Sequence, residues 1–431
     1  MALHRRDFLK LSALAGLSIS GCGTIGGTAS SKNLNARVVI VGGGIGGVTA
    51  AKYLRRFAPN LQITLIEPST EYVTCPVSNW VIGGMRDIKS ITQKYDALRT
   101  RHGVTVVHDR VTQIDVDTKV VTTASGAKFN YDRLIASPGI EMKWDSIEGY
   151  NEAASEIVPH AWKAGAQTLL LRKQLEAMKD GGVVMIAVPA NPFRCPPGPY
   201  ERASLIANYL KQHKPKSKLV ILDAKDNFSK QPLFVQGWKE LYGYDTPNSL
   251  IKWVPAAEDG KVTAVDVKRK VLRTEFGSHQ ADVLNVIPPQ QAGLIARQTG
   301  LSNDSGWCPV NAVTWESKIH PNIHVIGDAS IAGKMPKSAF SANSQAKACA
   351  AAVVSLLQGD DPEASKYVNT CYSLLSPKQG ISVAMVYQVN DDGVIDEIAG
   401  AGGVSPATGN KQLEAMFAEN WYDNIMTDVF A

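Results

Sequence analysis

The sequence predicts an α/β fold with two Rossmann-like dinucleotide-binding domains and a C-terminal α+β interface domain. Three stretches predict this fold: a buried strand, glycine-rich turn and helix at 38–54, another strand–helix–strand unit at 181–223, and a strand and final helix at 381–427. The 431 residues exceed one ordinary core. We expect a signal and lead-in at 1–35, the first domain at 36–150 and 288–361, a middle unit at 151–287, and the C-terminal domain at 362–431.

Composition places the chain among soluble globular proteins, with 44% hydrophobic and 20% charged residues. The formal net charge is only +5, and the sequence contains no dense run of lysine and arginine. Nucleic acid is therefore not an expected partner. We expect no metal site.

The first strand leads into a glycine motif. Gly42, Gly44 and Gly47 stand in G-x-G-x-x-G spacing, which allows a tight turn, close approach of a pyrophosphate and close packing of the helix on the strand. The helix N-terminus favours the phosphates. Glu67 ends the second strand, where its carboxylate can bind ribose hydroxyls. The pattern predicts a dinucleotide site rather than a plain glycine-rich turn.

A later segment favours FAD over NAD as the dinucleotide. The strand at 323–326 ends in Gly327 and Asp328, and this arrangement lets a carboxylate reach the ribityl chain of FAD. A helix at 340–357 points its N-terminus toward the same place, where its dipole favours negative charge. The middle unit lacks a second glycine motif and has four prolines in the turn at 190–201, so we expect it to be closed to NADH.

The N-terminus reads as an export signal. Arg5 and Arg6 begin a stretch that looks like a twin-arginine signal, and the apolar run that follows is too short to span a bilayer. The residues before Cys22 resemble a lipoprotein cleavage box, while cleavage by ordinary signal peptidase near 28–30 is the alternative. Either route predicts the periplasm, where disulfides persist.

Two roles are open for the cysteines near the predicted site. Cys75 lies between a strand end and a proline. It is expected either near the mouth of the nucleotide site or, alternatively, in the core as a small buried hydrophobic residue. Cys195 precedes a helix whose N-terminus is expected to favour its thiolate. From the residues alone, Cys195 and Cys371 form either a structural disulfide or a redox pair. Cys308 has no evident partner, and Cys349 fits a packed helix face.

Several longer motifs are highly specific. Along nearly its whole length the chain resembles the flavoprotein subunits of flavocytochrome c sulfide dehydrogenase, which have a disulfide-reductase-type architecture. The matching stretches are TCPVSN (74–79), VIGG (81–84), PHAWKAG (159–165), RCPPGPYERA (194–203), NDSGWCPV (303–310), MPKSA (335–339) and NTCYS (369–373).

The resemblance implies particular roles for site residues. Cys75 would carry the 8α-methyl of FAD as a thioether, Cys195 and Cys371 would form a redox disulfide beside the flavin, and Glu201 is the candidate proton shuttle. The family implies sulfide as substrate and a c-type cytochrome as electron acceptor. Because the chain contains no Cys-x-x-Cys-His, the haem must lie on a separate subunit or on a soluble cytochrome c.

Two other functions stay open. A sulfide:quinone oxidoreductase would pass electrons to membrane quinone, but it calls for a longer amphipathic C-terminal end. The final helix fits an interface helix better than a membrane anchor. A non-catalytic electron-transfer subunit would use the cysteine pair only as a structural disulfide.

Overall fold

The computed structural model describes residues 34–431, of which Asn35–Ala431 form one compact unit. The predicted export signal, including Cys22, lies outside the described residues. None of the helices within residues 34–431 has the length and apolar character needed to cross a bilayer.

The first segment alternates strands and helices. Val38–Val41 are buried, so the first strand lies in the core as the apolar run predicts. Its elements are β1 (Arg37–Val41), α1 (Ile45–Phe57), β2 (Gln62–Ile66), β3 (Glu71–Val73), α2 (Ser78–Ile82), β4 (Thr92–Lys94), α3 (Asp96–Thr100), β5 (Thr105–Val107), β6 (Val111–Asp115), β7 (Val120–Thr123), β8 (Lys128–Asn130), β9 (Arg133–Ala136) and β10 (Ile140–Met142).

The middle segment contains a second parallel sheet of four strands. Its elements are α4 (Glu152–Ser155), α5 (Ala166–Ala177), β11 (Val183–Val188), α6 (Gly198–His213), β12 (Lys218–Asp223), α7 (Gln231–Tyr242), β13 (Ile251–Val254), β14 (Ala264–Asp266), β15 (Val271–Arg273), β16 (Ser278–Gln280), β17 (Val283–Val286) and β18 (Gln290–Ala292). Parallel order and a helix between strands are the marks of a βαβ unit.

The chain then returns to the first sheet. The elements are α8 (Leu294–Gln298), β19 (Cys308–Pro309), β20 (Ile323–Val325), β21 (Ser330–Ile331) and α9 (Ala339–Gln358). β20 pairs in parallel with β9, which completes a five-stranded sheet in the order β20-β9-β1-β2-β5. The carboxyl ends of these strands therefore meet at one edge.

The C-terminal segment is an antiparallel sheet followed by a long helix: β22 (Tyr367–Ser376), β23 (Gln379–Val389), β24 (Ile395–Val404) and α10 (Lys411–Phe430). Short 3₁₀ helices occur at Ile88–Ile91, Ala256–Glu258 and Gly327–Ala329. The end of α10 docks on α1, where the Lys52 ammonium donates to the carbonyl oxygens of Asp428 at 2.8 Å and Ala431 at 2.7 Å. This contact makes α10 part of the folded body.

Candidate active site

A cavity of about 900 Å³ lies at the carboxyl ends of the first sheet and extends to the middle and C-terminal segments. Ligands of open α/β sheets bind at this edge. Apart from Gly47, the candidate site residues all line it: Gly42, Gly44, Glu67, Cys75, Cys195, Glu201, Gly327, Asp328 and Cys371.

The glycine turn has the shape that a pyrophosphate requires. Gly42 has a φ of +103°, and a Cβ there would lie 2.4 Å from the carbonyl oxygen of Ser137. A Cβ at Gly47 would lie 1.9 Å from the carbonyl oxygen of Gly42, so Gly47 allows α1 to pack against the turn. Gly44 precedes α1 and caps it without a side chain, which leaves the backbone N–H groups of the first turn facing the cavity edge. These residues fit a dinucleotide.

Glu67 is held at the end of β2. Its carboxylate accepts hydrogen bonds from the backbone N–H groups of Gly43 at 2.8 Å and Ser69 at 2.9 Å. Both bonds come from backbone, so the carboxylate is fixed beside the glycine turn. The position suits a ribose, and this role stays a prediction.

Asp328 follows β20 and faces a cation that we did not single out from the sequence. Burial raises the pKa of Asp328, whereas the nearby Arg194 and Lys337 act in the opposite direction. The Arg194 guanidinium lies 3.8 Å from the Asp328 carboxylate and also donates to the carbonyl oxygen of Trp162. Arg194 immediately precedes Cys195, so the cysteine loop and the Asp328 turn meet at this ion pair.

Cys75 presents its thiol to the cavity. Its backbone carbonyl accepts hydrogen bonds from the N–H group of Ser78 at 3.1 Å and the hydroxyl of Ser78 at 2.8 Å, which fixes the turn before α2. The thiol is partly buried and lines the cavity with the glycine turn. The placement is compatible with a flavin attachment site.

Cys195 and Cys371 meet at the same cavity from distant parts of the chain. Cys195 has a left-handed backbone with φ +56°, and its N–H group donates to the carbonyl oxygen of Lys337 at 2.8 Å. Cys371 lies in the middle of β22. The charge of each cysteine acts to raise the pKa of Lys230, and the charge of Cys371 acts to raise the pKa of Cys195. Both carry free thiols in this structure, so their disulfide stays a prediction.

The expectation that the helix N-terminus favours a Cys195 thiolate is wrong. Burial raises the pKa of Cys195, and the charges of Cys371 and Glu201 act in the same direction. Burial also raises the pKa of Cys371, although Lys230 and hydrogen bonds from Asn369 and Ser338 oppose the shift. Loss of solvation outweighs the local dipole because both cysteines are partly buried.

Glu201 joins three parts of the site. Its carboxylate accepts hydrogen bonds from the Asn79 amide at 2.9 Å, the Trp80 indole at 3.2 Å and the Leu374 backbone N–H at 3.0 Å. Because Asn79 and Trp80 lie in α2 and Leu374 lies in β22, these hydrogen bonds to the carboxylate anchor α2 and β22 to α6. Its role as proton shuttle stays a prediction.

Two buried cations near Glu201, Arg202 and Lys230, were not predicted as site residues from the sequence. The Arg202 guanidinium donates to Asn79 at 3.0 Å and Asn285 at 2.8 Å, and burial lowers its pKa to about 9. Lys230 is buried beside the cysteine pair. The arginine lies within the RCPPGPYERA motif, which offered a signal, whereas Lys230 lies in no matching stretch.

The middle sheet ends in an acid that is unavailable to a ribose. Asp223 ends β12, as Glu67 follows β2, but it is fully buried. Its carboxylate accepts hydrogen bonds from Tyr200 at 2.5 Å, Lys225 at 2.5 Å and Trp253 at 3.1 Å. This internal use of the acid supports a middle unit closed to NADH.

Comparison with known proteins identifies the family. The family model for the central part of the sulfide dehydrogenase (flavocytochrome c) flavoprotein chain matches residues 168–288, and the flavocytochrome c sulphide dehydrogenase flavin-binding model matches residues 363–430. The pyridine nucleotide-disulphide oxidoreductase model matches residues 36–174. The sulfide dehydrogenase flavoprotein chain of Chlorobaculum thiosulfatiphilum is 60% identical over 45 residues, which are 10% of this chain and 94% of that one. This chain belongs to the flavocytochrome c sulfide dehydrogenase flavoprotein family.

More distant relatives agree in fold. The mitochondrial sulfide:quinone oxidoreductase of Mus musculus is 22% identical over 320 residues, covering 70% of this chain and 67% of the relative. The solved sulfide:quinone oxidoreductase of Aquifex aeolicus superposes with a TM-score of 0.71 at 18% identity, covering 92% of each chain. These findings confirm the family resemblance and the predicted fold class. The chain is an FAD-binding flavoprotein oxidoreductase of a sulfide-oxidising class.

Proposed function

We propose that this flavoprotein oxidises sulfide at a Cys195–Cys371 disulfide and passes the electrons through covalently bound FAD to a c-type cytochrome in the periplasm. One observation carries the proposal: both cysteines line the cavity that contains the glycine turn. A substrate at the cysteines and a dinucleotide at the turn would therefore share one cavity.

The cysteine pair performs the first step. Hydrosulfide attacks one sulfur of the disulfide, so the bond between the cysteines breaks, a persulfide forms on one of them and the other leaves as a thiolate. Glu201 lines the same cavity and is the proposed proton shuttle. Bound FAD supplies an acceptor for two electrons that can be released singly to a haem.

Four residues would hold the FAD. Gly44 would admit the pyrophosphate, Glu67 would bind ribose hydroxyls, Asp328 would bind the ribityl chain, and Cys75 would form the 8α thioether. A thioether keeps the flavin attached outside the cytoplasm, where free FAD is scarce. The twin-arginine signal supports export of a folded, loaded protein. Cys22 is a candidate lipid anchor.

A specific surface feature favours one alternative, reduction of membrane quinone. Leu413, Met416 and Phe417 lie on α10 and are 39%, 52% and 41% exposed. However, α10 begins with Lys411 and carries Glu414, Glu419 and Asp423 on a helix that docks on α1. Sulfide:quinone oxidoreductase is therefore the second candidate.

The deciding experiment is an anaerobic titration of the purified protein with sulfide. We expect the flavin absorbance to bleach, and then to recover when soluble cytochrome c is added, with reduction of the haem. Recovery with decylubiquinone instead of cytochrome c would establish the quinone alternative. A flavin that sulfide does not bleach would identify an electron-transfer subunit without sulfide chemistry.

A further inference from the structure

Lys230 places a buried ammonium beside the cysteine pair. It immediately precedes α7 with a left-handed φ of +59° and is only 7% exposed. Its ammonium donates a hydrogen bond to the Ser373 hydroxyl at 2.9 Å. Within residues 34–431 it forms no ion pair with a carboxylate.

The strand geometry brings this ammonium next to Cys371. Ser373 follows Cys371 by two positions in β22, so both side chains project from the same face. Glu201 binds the backbone N–H of the next residue, Leu374, and thereby fixes the strand. The hydrogen bond from Lys230 to Ser373 spans 143 positions of sequence, which makes it a tertiary contact between the middle and C-terminal segments.

A buried ammonium without an ion-pair partner is unfavourable. Burial lowers the pKa of Lys230, and the charges of Cys371, Glu201, Cys195 and Glu414 act against this shift. Glu201 is already engaged by three N–H donors. Besides Glu201, the negative charges that act on Lys230 are the two sulfur atoms, once their disulfide is opened, and Glu414, whose effect is the smallest of the four.

We infer that Lys230 is a positioning residue that stabilises the negative charge on the cysteine pair when hydrosulfide opens the disulfide. The inference rests on the proposed function. In the step, the bond between the cysteines breaks and a bond forms between the sulfide sulfur and one cysteine. The sulfide sulfur is oxidised, the other cysteine is reduced to a thiolate, and the charge that hydrosulfide brought in ends on that thiolate beside Lys230.

Some of the other groups around the cysteine pair favour a thiolate and others oppose it. Arg194 acts with Lys230 to lower the pKa of Cys195, and the polar side chains of Asn369 and Ser338 act to lower the pKa of Cys371. Glu201 opposes a thiolate at both positions. Arg194 is paired with Asp328, whereas Lys230 has no carboxylate partner within the described part of the chain and interacts electrostatically with both cysteines.

Three variants separate the charge of Lys230 from its hydrogen bond. Lys230→Met removes both, Lys230→Gln removes the charge and retains a donor for Ser373, and Ser373→Ala removes the hydrogen bond and retains the charge. The flavin-loaded protein is reduced with dithiothreitol, freed of it, and treated with iodoacetamide across a range of pH. Peptide mass spectrometry then gives the alkylation rates of Cys195 and Cys371 separately.

We expect Lys230→Met and Lys230→Gln to raise the pH at which the pair is alkylated by about one unit, which is roughly a tenfold slower reaction at fixed pH. Ser373→Ala should retain the wild-type profile. If Lys230→Met does not fold, as judged by circular dichroism and flavin content, Lys230→Gln decides the matter. A wild-type profile in Lys230→Gln would overturn the inference, and so would an equal shift in Ser373→Ala.

The readout is independent of the proposed function because alkylation needs no sulfide. In a parallel experiment, sulfide is mixed anaerobically with each oxidised variant and flavin bleaching is timed. We expect bleaching to be about tenfold slower in Lys230→Gln. Failure of the wild type to bleach would refute the proposed function, whereas unchanged alkylation in Lys230→Gln would refute only the role of Lys230.

Discussion

The carboxylate of Glu201 accepts a hydrogen bond from the backbone N–H of Leu374 at 3.0 Å, which ties the first turn of α6 to β22. Cys195 lies just before α6, and Cys371 lies three residues before Leu374 in the strand. This single contact therefore helps to set the separation of the two sulfurs. Glu201 is therefore a structural part of the site, independently of its proposed role as proton shuttle.

Glu201→Gln tests this anchoring. A glutamine presents an N–H group to three N–H donors, and the Asn79 amide cannot turn to accept it without giving up its bond from Arg202, so at least one of the three hydrogen bonds is lost and a buried donor is left unpaired. We expect the free energy of unfolding to fall by about 1–3 kcal/mol, measured by urea unfolding. Glu419→Gln, at an exposed position of α10, is the matched control. Equal midpoints for the two variants would show that the anchor contributes nothing.

The cysteine pair can be tested apart from the flavin. Cys195→Ser and Cys371→Ser should each abolish sulfide-dependent reduction of cytochrome c, because no disulfide remains for hydrosulfide to attack. Flavin content should be unchanged, since neither cysteine lies in the glycine turn. Cys308→Ala alters a fully buried thiol in β19 and should retain activity. Substantial activity in either serine variant would rule out the pair as the redox relay.

Cys75 is expected to hold the flavin covalently. When the purified protein is denatured in hot acid, the flavin should remain with the polypeptide, and Cys75→Ser should release it. The variant should still bind flavin before denaturation because the glycine turn is intact. Cys349→Ala, in the interior of α9, should keep the covalent flavin. Free flavin in the supernatant of the wild type would disprove the thioether.

The two glycines of the turn should behave differently. In Gly47→Ala the new Cβ would lie 1.9 Å from the Gly42 carbonyl oxygen, so α1 must move and both thermal stability and flavin content should fall. In Gly44→Ala the nearest atom would be 3.7 Å away, on the ring of Tyr72. That variant should fold with a Tm near the wild type and still lose flavin, because the methyl group occupies the approach of the pyrophosphate. Full flavin content in Gly44→Ala would argue against a pyrophosphate there.

Local features of the site could be predicted from residue spacing, whereas the long-range approach of Cys195 to Cys371 was expected only from the family resemblance. The glycine turn and Glu67 depend on residues that adjoin one strand and one helix, so their spacing alone predicts them. The interaction between Lys230 and Ser373 joins segments 143 positions apart, and no local pattern predicts it. The expected Cys195 thiolate was wrong for the same reason, because a helix N-terminus is visible in sequence whereas the burial that raises the pKa of Cys195 is not.

Docking of α10 should depend on the charge of Asp428. Its carboxylate accepts hydrogen bonds from Lys347 at 2.8 Å, Asn343 at 2.9 Å and Tyr53 at 2.9 Å. Burial acts to raise the pKa of Asp428, but these three hydrogen bonds outweigh it and hold the pKa below its ordinary value. The ionised carboxylate therefore stabilises the folded state above the ordinary aspartate pKa, and this contribution is lost as the pH falls through the lowered value.

Asp428→Asn removes that contribution at every pH. Near neutral pH we expect its free energy of unfolding to be about 1–2 kcal/mol below that of the wild type, and the difference should shrink as the pH falls below the ordinary aspartate value. Urea unfolding of both proteins, at neutral pH and at a pH below the ordinary aspartate pKa, measures this difference in the free energy of unfolding. Asp423→Asn, at an exposed position of the same helix, should show no such pH-dependent difference. A difference that is constant with pH would mean that the shape of the Asp428 side chain, rather than its charge, holds α10 in place.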